Sequence, residues 1–270
     1  MKKYISVLII LSSLLFVSCE EIVDVDLNSA EPRLVIDASI TEAMSCQVRI
    51  TMSQAFQDNN RYEAVREAMV ILRDEDGNEE ILTEAVYNPG LYMSEMMGVV
   101  GKEYYLTVIV DDKEYEASAV IPNVVHITDV FIYDIKAGDK SWFSPSIMFD
   151  DPEYEDNYYY TLVYINGRKL DTFYLYDDEF RNGKHVHKIL FFNKEDNQDN
   201  DLETGDEVMI EMQSIDKGMY RFYETWTSFA NGGAANPISN ISGGALGCFK
   251  AYNTSTIYMV VSAAYIYSEE

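Results

Sequence analysis

A mainly β fold is predicted: an immunoglobulin- or fibronectin-like β-sandwich on the N-terminal side, then a second β-rich domain, sandwich or barrel-like, carrying one amphipathic helix. Three observations predict it. Short runs of alternating apolar and polar residues recur between turn signals along almost the whole chain, the mark of half-buried strands. Those runs are crowded with β-branched and aromatic residues, among them 21 Tyr and 12 Phe, types that suit a pleated surface. A single stretch, 216–230, changes from period two to helical spacing.

The chain begins MKKYISVLIILSSLLFVSCEE. Lys2 and Lys3 form a positive n-region, Tyr4 to Phe16 an apolar core, and Val17-Ser18 leads into Cys19, the order of a secretory signal. The apolar run falls short of the roughly 20 residues a spanning helix needs, so cleavage before Cys19 is expected. A cysteine there takes a diacylglycerol on its sulfur and a further acyl (palmitate-type) chain on its new amine. Several chains anchor firmly where one binds only reversibly. The sequence therefore predicts a lipoprotein signal peptide over 1–18, lipidation at Cys19, and a lipid-anchored tether over 19–32; ordinary secretion is the competing reading.

Residues 1–18 carry two lysines and no acid, so their removal takes the formal net charge from -26 to -28. A field of that sign repels phosphate backbones, which argues against nucleic-acid binding. Cationic ligands and metals stay open on charge alone. After Cys19 is acylated, Cys46 and Cys248 are the remaining cysteines. Their separation in sequence favours two buried thiols over a disulfide.

The first domain is expected over 33–122. Seven β-like runs fill it: 33–40, 46–54, 68–74, 80–85, 90–96, 103–110 and 113–121. Asp74-Glu75-Asp76-Gly77-Asn78 and Asn88-Pro89-Gly90 are turns by composition, and Asp111-Asp112 is a tight hairpin. In 103–110, Tyr104, Leu106, Val108 and Val110 share one face at period two. Seven short strands with regular turns give the sandwich, and Tyr104 stands where such folds place a tyrosine corner.

Pro122-Asn123 ends the last of these strands, and a second domain is expected over 123–270. Val125, Ile127, Val130, Ile132 and Ile135 suggest a long bent strand, followed by runs at 142–149, 157–165, 168–176, 185–192 and 207–215. Asn166-Gly167 is a type I′ hairpin signal, since both residues accept positive φ. Met219, Phe222, Tyr223, Trp226, Phe229 and Ala230 then recur at helical spacing, with Asp216 as N-cap and Asn231-Gly232-Gly233 as the stop. The stripe reads first as a packing face; Tyr223, Trp226 and Phe229 are the candidates for facing a ligand. A Gly-, Asn- and Ser-rich loop at 236–244 leads into a strand, and a final strand at 257–266 closes the domain.

Cys19-Glu20-Glu21 with Val23-Asp24-Val25-Asp26, Phe149-Asp150-Asp151-Pro152 followed by Asn157-Tyr158-Tyr159, Gly205-Asp206 before Val208-Met209-Ile210-Glu211-Met212, Ser214-Ile215-Asp216, Asn236-Pro237, Ser239-Asn240-Ile241 and Gly243-Gly244-Ala245-Leu246-Gly247 together resemble the Bacteroidota outer-membrane lipoprotein family called domain of unknown function 4249. The resemblance covers essentially the whole mature chain. It implies an accessory lipoprotein of TonB-dependent receptors, and the acids after Cys19 resemble a surface-export signal. It implies no catalytic residues. Where this chain has Cys248, an aromatic or aliphatic residue is more usual in the family, which points to a packing role.

The residues themselves offer no enzyme. The glycine-rich loop lacks the Gly-Lys-Ser/Thr ending of a phosphate loop, so no nucleotide cofactor is expected. His185 and His187 share a strand face, but with three histidines in the chain they read as a solvated face rather than a metal site. The acidic run 195–201 lacks EF-hand spacing. Of 46 acids, no two stand out as a glycosidase pair. The expectation is a surface-facing, outer-membrane-anchored partner of a TonB-dependent β-barrel receptor, as lid or ligand-capturing module. A structural or adhesive surface protein is the alternative, and a surface hydrolase a distant third.

Overall fold

The computed structural model describes residues 31–54, 62–138, 140–230 and 236–267. The signal, Cys19, most of the tether and the helix stop at 231–233 lie outside the described residues. Eight strands precede Ile121: β1 (Leu34–Thr41), β2 (Ser45–Met52), β3 (Met69–Asp74), β4 (Glu79–Ile81), β5 (Thr83–Glu84), β6 (Leu91–Met97), β7 (Glu103–Val110) and β8 (Lys113–Val120). Alternation forms them as expected: Tyr104, Leu106 and Val108 of β7 are buried while their neighbours are half-exposed. The sheet β4-β3-β7-β8 packs on the β1-β2-β6-β5 portion of a larger sheet, with Ile36, Val48 and Ile50 meeting Val70, Leu72 and Leu106 in the core. The expected single strand at 80–85 divides at Leu82, because β4 pairs with β3 in one sheet and β5 with β6 in the other. The crossing places Leu82 in the core between them.

Tyr104 makes a tyrosine corner. Its ring is buried, and its hydroxyl accepts the Val99 amide at 2.9 Å, five residues upstream. Both short hairpins have the backbone their residues predict: Asp111 and Asp112 take φ of 49° and 61°, Asn166 and Gly167 of 51° and 76°.

Beyond Pro122 come β9 (Ile127–Ala137), β10 (Lys140–Asp150), β11 (Tyr158–Ile165), β12 (Arg168–Asp177), β13 (His185–Ile189), β14 (Glu207–Ile215), the helix α1 (Lys217–Ala230), β15 (Leu246–Val260) and β16 (Ile266–Tyr267). The sheet β13-β10-β9-β16 packs on the β12-β11-β14-β15 portion of the larger sheet around Ile132, Phe149, Tyr159, Val163 and Ile210. This is a second sandwich, and the described residues form no closed barrel. The Phe149-Asp150-Asp151-Pro152 motif serves it directly. Phe149 is core, and the buried Asp151 carboxylate accepts the Tyr159 hydroxyl at 2.5 Å.

The expected separate strand at 257–266 is instead the end of β15, which runs unbroken from Leu246 to Val260. Its polar centre, Asn253-Thr254-Ser255-Thr256, resembles a loop in composition. Ser255 is nevertheless buried, and its hydroxyl accepts the Ile127 amide at 3.0 Å where β9 begins. The chain leaves the strand only at Val261, through a 3-10 turn at Ala263–Tyr265.

β15 joins everything. Leu246 to Tyr252 pair in parallel with Val35 to Thr41 of β1, and Tyr252 to Val260 pair antiparallel with Ile215 to Glu207 of β14. The result is one eight-stranded sheet, β12-β11-β14-β15-β1-β2-β6-β5. Gly247 allows this approach: a Cβ there would lie 2.0 Å from the Ile36 carbonyl oxygen, at a φ of +92°. The other edge of β15 near Phe249 has no strand beside it. Asn240 takes that place, its amide accepting the Phe249 N–H at 2.8 Å and donating to the Phe249 carbonyl at 2.7 Å, while the Ser239 hydroxyl donates to the Gly247 carbonyl. The Ser-Asn-Ile and Gly-Gly-Ala-Leu-Gly segments are thus the fittings that hold β15 in place.

Candidate functional site: the cleft beneath the helix

Alternation along the shared sheet decides which residues face α1. On β15, Phe249 and Ala251 enter the first core, so Cys248, Lys250 and Tyr252 point to the helix side. On β1, Ile36 and Ala38 are core, which leaves Val35 and Asp37 on the helix side. On β12, buried Leu170 puts Lys169, Asp171 and Phe173 there. The helix is capped by Asp216, whose carboxylate accepts the Met219 amide at 2.8 Å. Met219 and Phe222 pack on Tyr160, Leu162, Ile215 and Cys248.

The second half of the helix does not close on the sheet. A cleft of about 500 Å³ remains, floored by Tyr160, Gly247 and Cys248 and bounded by Val35 and Asp37 on one side. Lys169, Asp171 and Phe173 bound it on the other, and Phe222, Tyr223 and Trp226 overhang it. Tyr223 stacks on Tyr160 with centroids 4.2 Å apart and planes 14° from parallel. Trp226 is 47% exposed at the mouth.

Behind these rings Lys250 is held in a tyrosine cage. Its ammonium lies 4.4, 4.9 and 5.4 Å from the ring centroids of Tyr252, Tyr160 and Tyr223, attracted by their π faces. It donates to the Tyr223 hydroxyl at 3.2 Å and to the Gln213 side-chain oxygen. Burial pushes its pKa down to about 8, against the opposing pull of Cys248, Glu211 and Asp37. Burial pushes the Tyr160 phenol up to about 12 and the Cys248 thiol likewise to about 12. The cleft therefore presents no thiolate nucleophile at neutral pH. Asp37 is raised by desolvation, with Lys250 and Arg49 pulling it back. Water reaches it, yet protein crowds round it, as happens at the wall of a concavity.

Among the described residues, the carboxylates of Asp37 and Asp171 and the ammonium of Lys169 accept or donate no side-chain hydrogen bond and form no ion pair. Convergent charged groups around an aromatic wall distinguish this cleft from the molecule's larger concavity. That one, about 720 Å³, lies at the far end of β15 against Tyr164, Met209, Tyr258, Val260 and Tyr265 and is predominantly apolar.

Of the three ligand-facing candidates, Tyr223 and Trp226 line the cleft, while Phe229 is exposed outside it. Asp37, Lys169, Asp171 and Lys250 were not singled out by sequence. The one available signal was Lys250, a lone charge between Phe249 and Ala251 whose alternation turns it away from both. His185 pairs with Asp150 at 2.7 Å and His187 lies 5.0 Å from the Phe131 ring; among the described residues no group of three His, Cys, Asp or Glu is placed to hold a metal. The acidic run has a structural task, since Asp196 accepts the Asp171 and Thr172 amides at 2.7 and 2.8 Å. Cys46 and Cys248 are both free and buried.

Residues 20–257 match the family described as domain of unknown function DUF4249. The chain belongs to that family. No curated protein matches it. Among solved structures, the two fibronectin type-III domain segment from chicken tenascin is similar at 9% identity, covering 85% of this chain and 99% of that one with a TM-score of 0.24. A DUF4785 family protein from Legionella pneumophila is also 9% identical, covering 67% and 52% with a TM-score of 0.26. Those of the resembling segments that lie among the described residues serve β15, the second core and the start of α1, whereas the cleft is walled by residues outside them, apart from Gly247 on its floor.

Proposed function

We propose that this DUF4249 chain is a surface-facing outer-membrane lipoprotein that captures a ligand in the cleft beneath α1 and works beside a TonB-dependent β-barrel receptor. The observation that carries the ligand-capturing part is the cleft itself: unpartnered Asp37, Asp171 and Lys169 converge on an aromatic wall with Trp226 at its mouth. Charged side chains gathered with aromatic rings around one concavity are the usual make-up of a ligand site. The address rests on Lys2, Lys3, the apolar core and Cys19, and the receptor on the family resemblance.

Affinity purification of the tagged protein in mild detergent tests the reading. A β-barrel receptor should co-purify, and Cys19→Ser should release the protein from the outer-membrane fraction. Recovery without any barrel partner, or unchanged fractionation of the variant, overturns the corresponding half. A structural or adhesive role is the second reading, favoured by the exposed Tyr258, Val260 and Tyr265 at the far end of β15, 71, 51 and 48% exposed. Binding to a matrix surface that survives loss of the receptor and is abolished by Tyr258→Asp would support it.

A further inference from the structure

We infer that the second sandwich binds a calcium ion at one end of its core, between the carboxylates of Asp151 and Asp178 and the side-chain oxygen of Asn157. None of these residues borders the cleft beneath α1.

Alternation brings the three together. Phe149 of β10, Tyr159 of β11 and Tyr176 of β12 face the core and pack on one another, with ring centroids 5.0, 5.3 and 6.0 Å apart. Asp151, Asn157 and Asp178 each lie two residues from one of these rings, just outside the strand ends, so period two turns them to the same inward side. β10 belongs to one sheet and β11 and β12 to the other, so Asp151 meets Asn157 and Asp178 across the sandwich. Hydrogen bonds fix the meeting. The Asp151 carboxylate accepts the Tyr159 hydroxyl at 2.5 Å and the Gly183 amide at 3.3 Å, and the Asp178 carboxylate accepts the Asn157 amide at 3.1 Å. The Asp151 amide donates to the Lys184 carbonyl at 3.0 Å, so the turn 178–184 runs from one carboxylate to the other.

Burial and charge then call for a cation. Asp151, Asn157 and Asp178 are 6, 6 and 7% exposed. Among the described residues neither carboxylate has an ion-pair partner, although buried charge needs compensation. Desolvation raises the pKa of Asp151, with the Tyr159 hydroxyl pulling it down and the Asp178 charge pushing it up, so the two acids lie close enough to act on each other. Asn157 supplies the independent sign. Its side-chain oxygen is buried and accepts no hydrogen bond, a loss that buried amides rarely bear. One cation answers both needs, balancing the carboxylates and coordinating the amide oxygen.

The donors choose the ion. All are hard oxygens, without imidazole or thiolate. Calcium accepts carboxylate and Asn carbonyl oxygens in flexible geometry and completes its shell with main-chain carbonyls and water. Magnesium keeps several waters, for which so buried a place has little room. Because the third donor is an amide, the set is not one of three His, Cys, Asp or Glu, of which the described residues form none.

The full mature protein, stripped with EDTA and held at about 0.15 M NaCl to screen its acidic surface, is titrated with CaCl2 by calorimetry. One Ca2+ per chain should bind saturably, and about 100 times the Kd should raise Tm by about 5 °C. Asn157→Leu, close in size, loses the oxygen but no side-chain hydrogen bond; it should melt near the wild type in EDTA yet bind Ca2+ at least tenfold more weakly. Asp178→Asn should weaken Ca2+ at least tenfold as well. Asn157→Asp keeps an oxygen donor and should bind Ca2+ at least as tightly, while melting below the wild type in EDTA because a third uncompensated carboxylate is then buried. Absence of saturable binding by the wild type below about 1 mM Ca2+ overturns the inference whatever the variants do. So does affinity that Asn157→Leu and Asp178→Asn leave unchanged, which puts the ion on the acidic surface, and so does equal affinity for Mg2+.

Discussion

Lys250→Met removes the charge from the tyrosine cage while keeping an unbranched side chain of similar length. In the wild type the ammonium's pKa is about 8 in the folded chain, against about 10.4 for an unperturbed lysine. The folded protein thus gives up this proton earlier than the unfolded chain does. Between those two values the unfolded state holds more protons, so this group's contribution to stability rises with pH. Below pH 8 the cost of the buried charge is present in full. From pH 7 to pH 9 the relief amounts to about 1.3 kcal/mol. The groups facing Lys250 from every side are Asp37, Glu211, Cys248, Lys169 and the three tyrosines. Cys248 works oppositely from about pH 8.5 upward, because its raised thiol keeps its proton longer when folded, so the comparison is made between two proteins that both carry it. Urea unfolding of wild type and Lys250→Met at pH 7 and pH 9 isolates the lysine, since the other groups are common to both. The wild type should gain about 1.3 kcal/mol on the variant over that interval. Parallel pH dependence of the two proteins would refute the account of the cage as a strained home for a cation.

Three substitutions test the fittings of the fold. Tyr104→Phe leaves the buried ring but orphans the Val99 amide, and should lower stability by about 1–2 kcal/mol in chemical denaturation with the m-value unchanged. Gly247→Ala forces a Cβ to within 2.0 Å of the Ile36 carbonyl; the β1–β15 pairing must open, and a loss above about 2 kcal/mol is expected in thermal melting. Asn240→Ala removes both hydrogen bonds to Phe249 and should cost about 2 kcal/mol, with faster amide exchange at Phe249 as the local signature.

The strands were legible because each buries one face, and period two then appears directly in the sequence. Glu103–Val110 and Glu207–Ile215 run between the residues at which their patterns begin and end. The helix was legible for the same reason at period 3.6, with Asp216 supplying its cap. What the chain does not write locally is pairing at long range. Nothing in Val35 to Thr41 announces Leu246 to Tyr252 as a parallel neighbour, and the polar Asn253 to Thr256 segment hides a strand because Asn253 and Ser255 bond to Glu42 and Ile127, far off in sequence. The cleft was half legible for a related reason. Tyr223 and Trp226 belong to a visible helical stripe, whereas Asp37, Lys169 and Lys250 come from three strands that only the sheet order brings under that helix.

The position of β15 also constrains how the cleft can work. Its odd residues Phe249 and Ala251 belong to the first core, Ile257 and Met259 to the second, and Cys248 to the patch under the helix. A hinge between the two sandwiches would have to break pairing on one side of Tyr252, where β1 and β14 meet the same strand. The walls of the cleft at Asp37 and Lys169 are therefore fixed relative to each other by a continuous hydrogen-bonded sheet. Only the overhang, Trp226 and the exposed end of α1, is free to adjust without breaking a core. A site with fixed walls and one movable aromatic edge accommodates a ligand by moving the helix overhang, because a mismatch cannot be absorbed by the sheet.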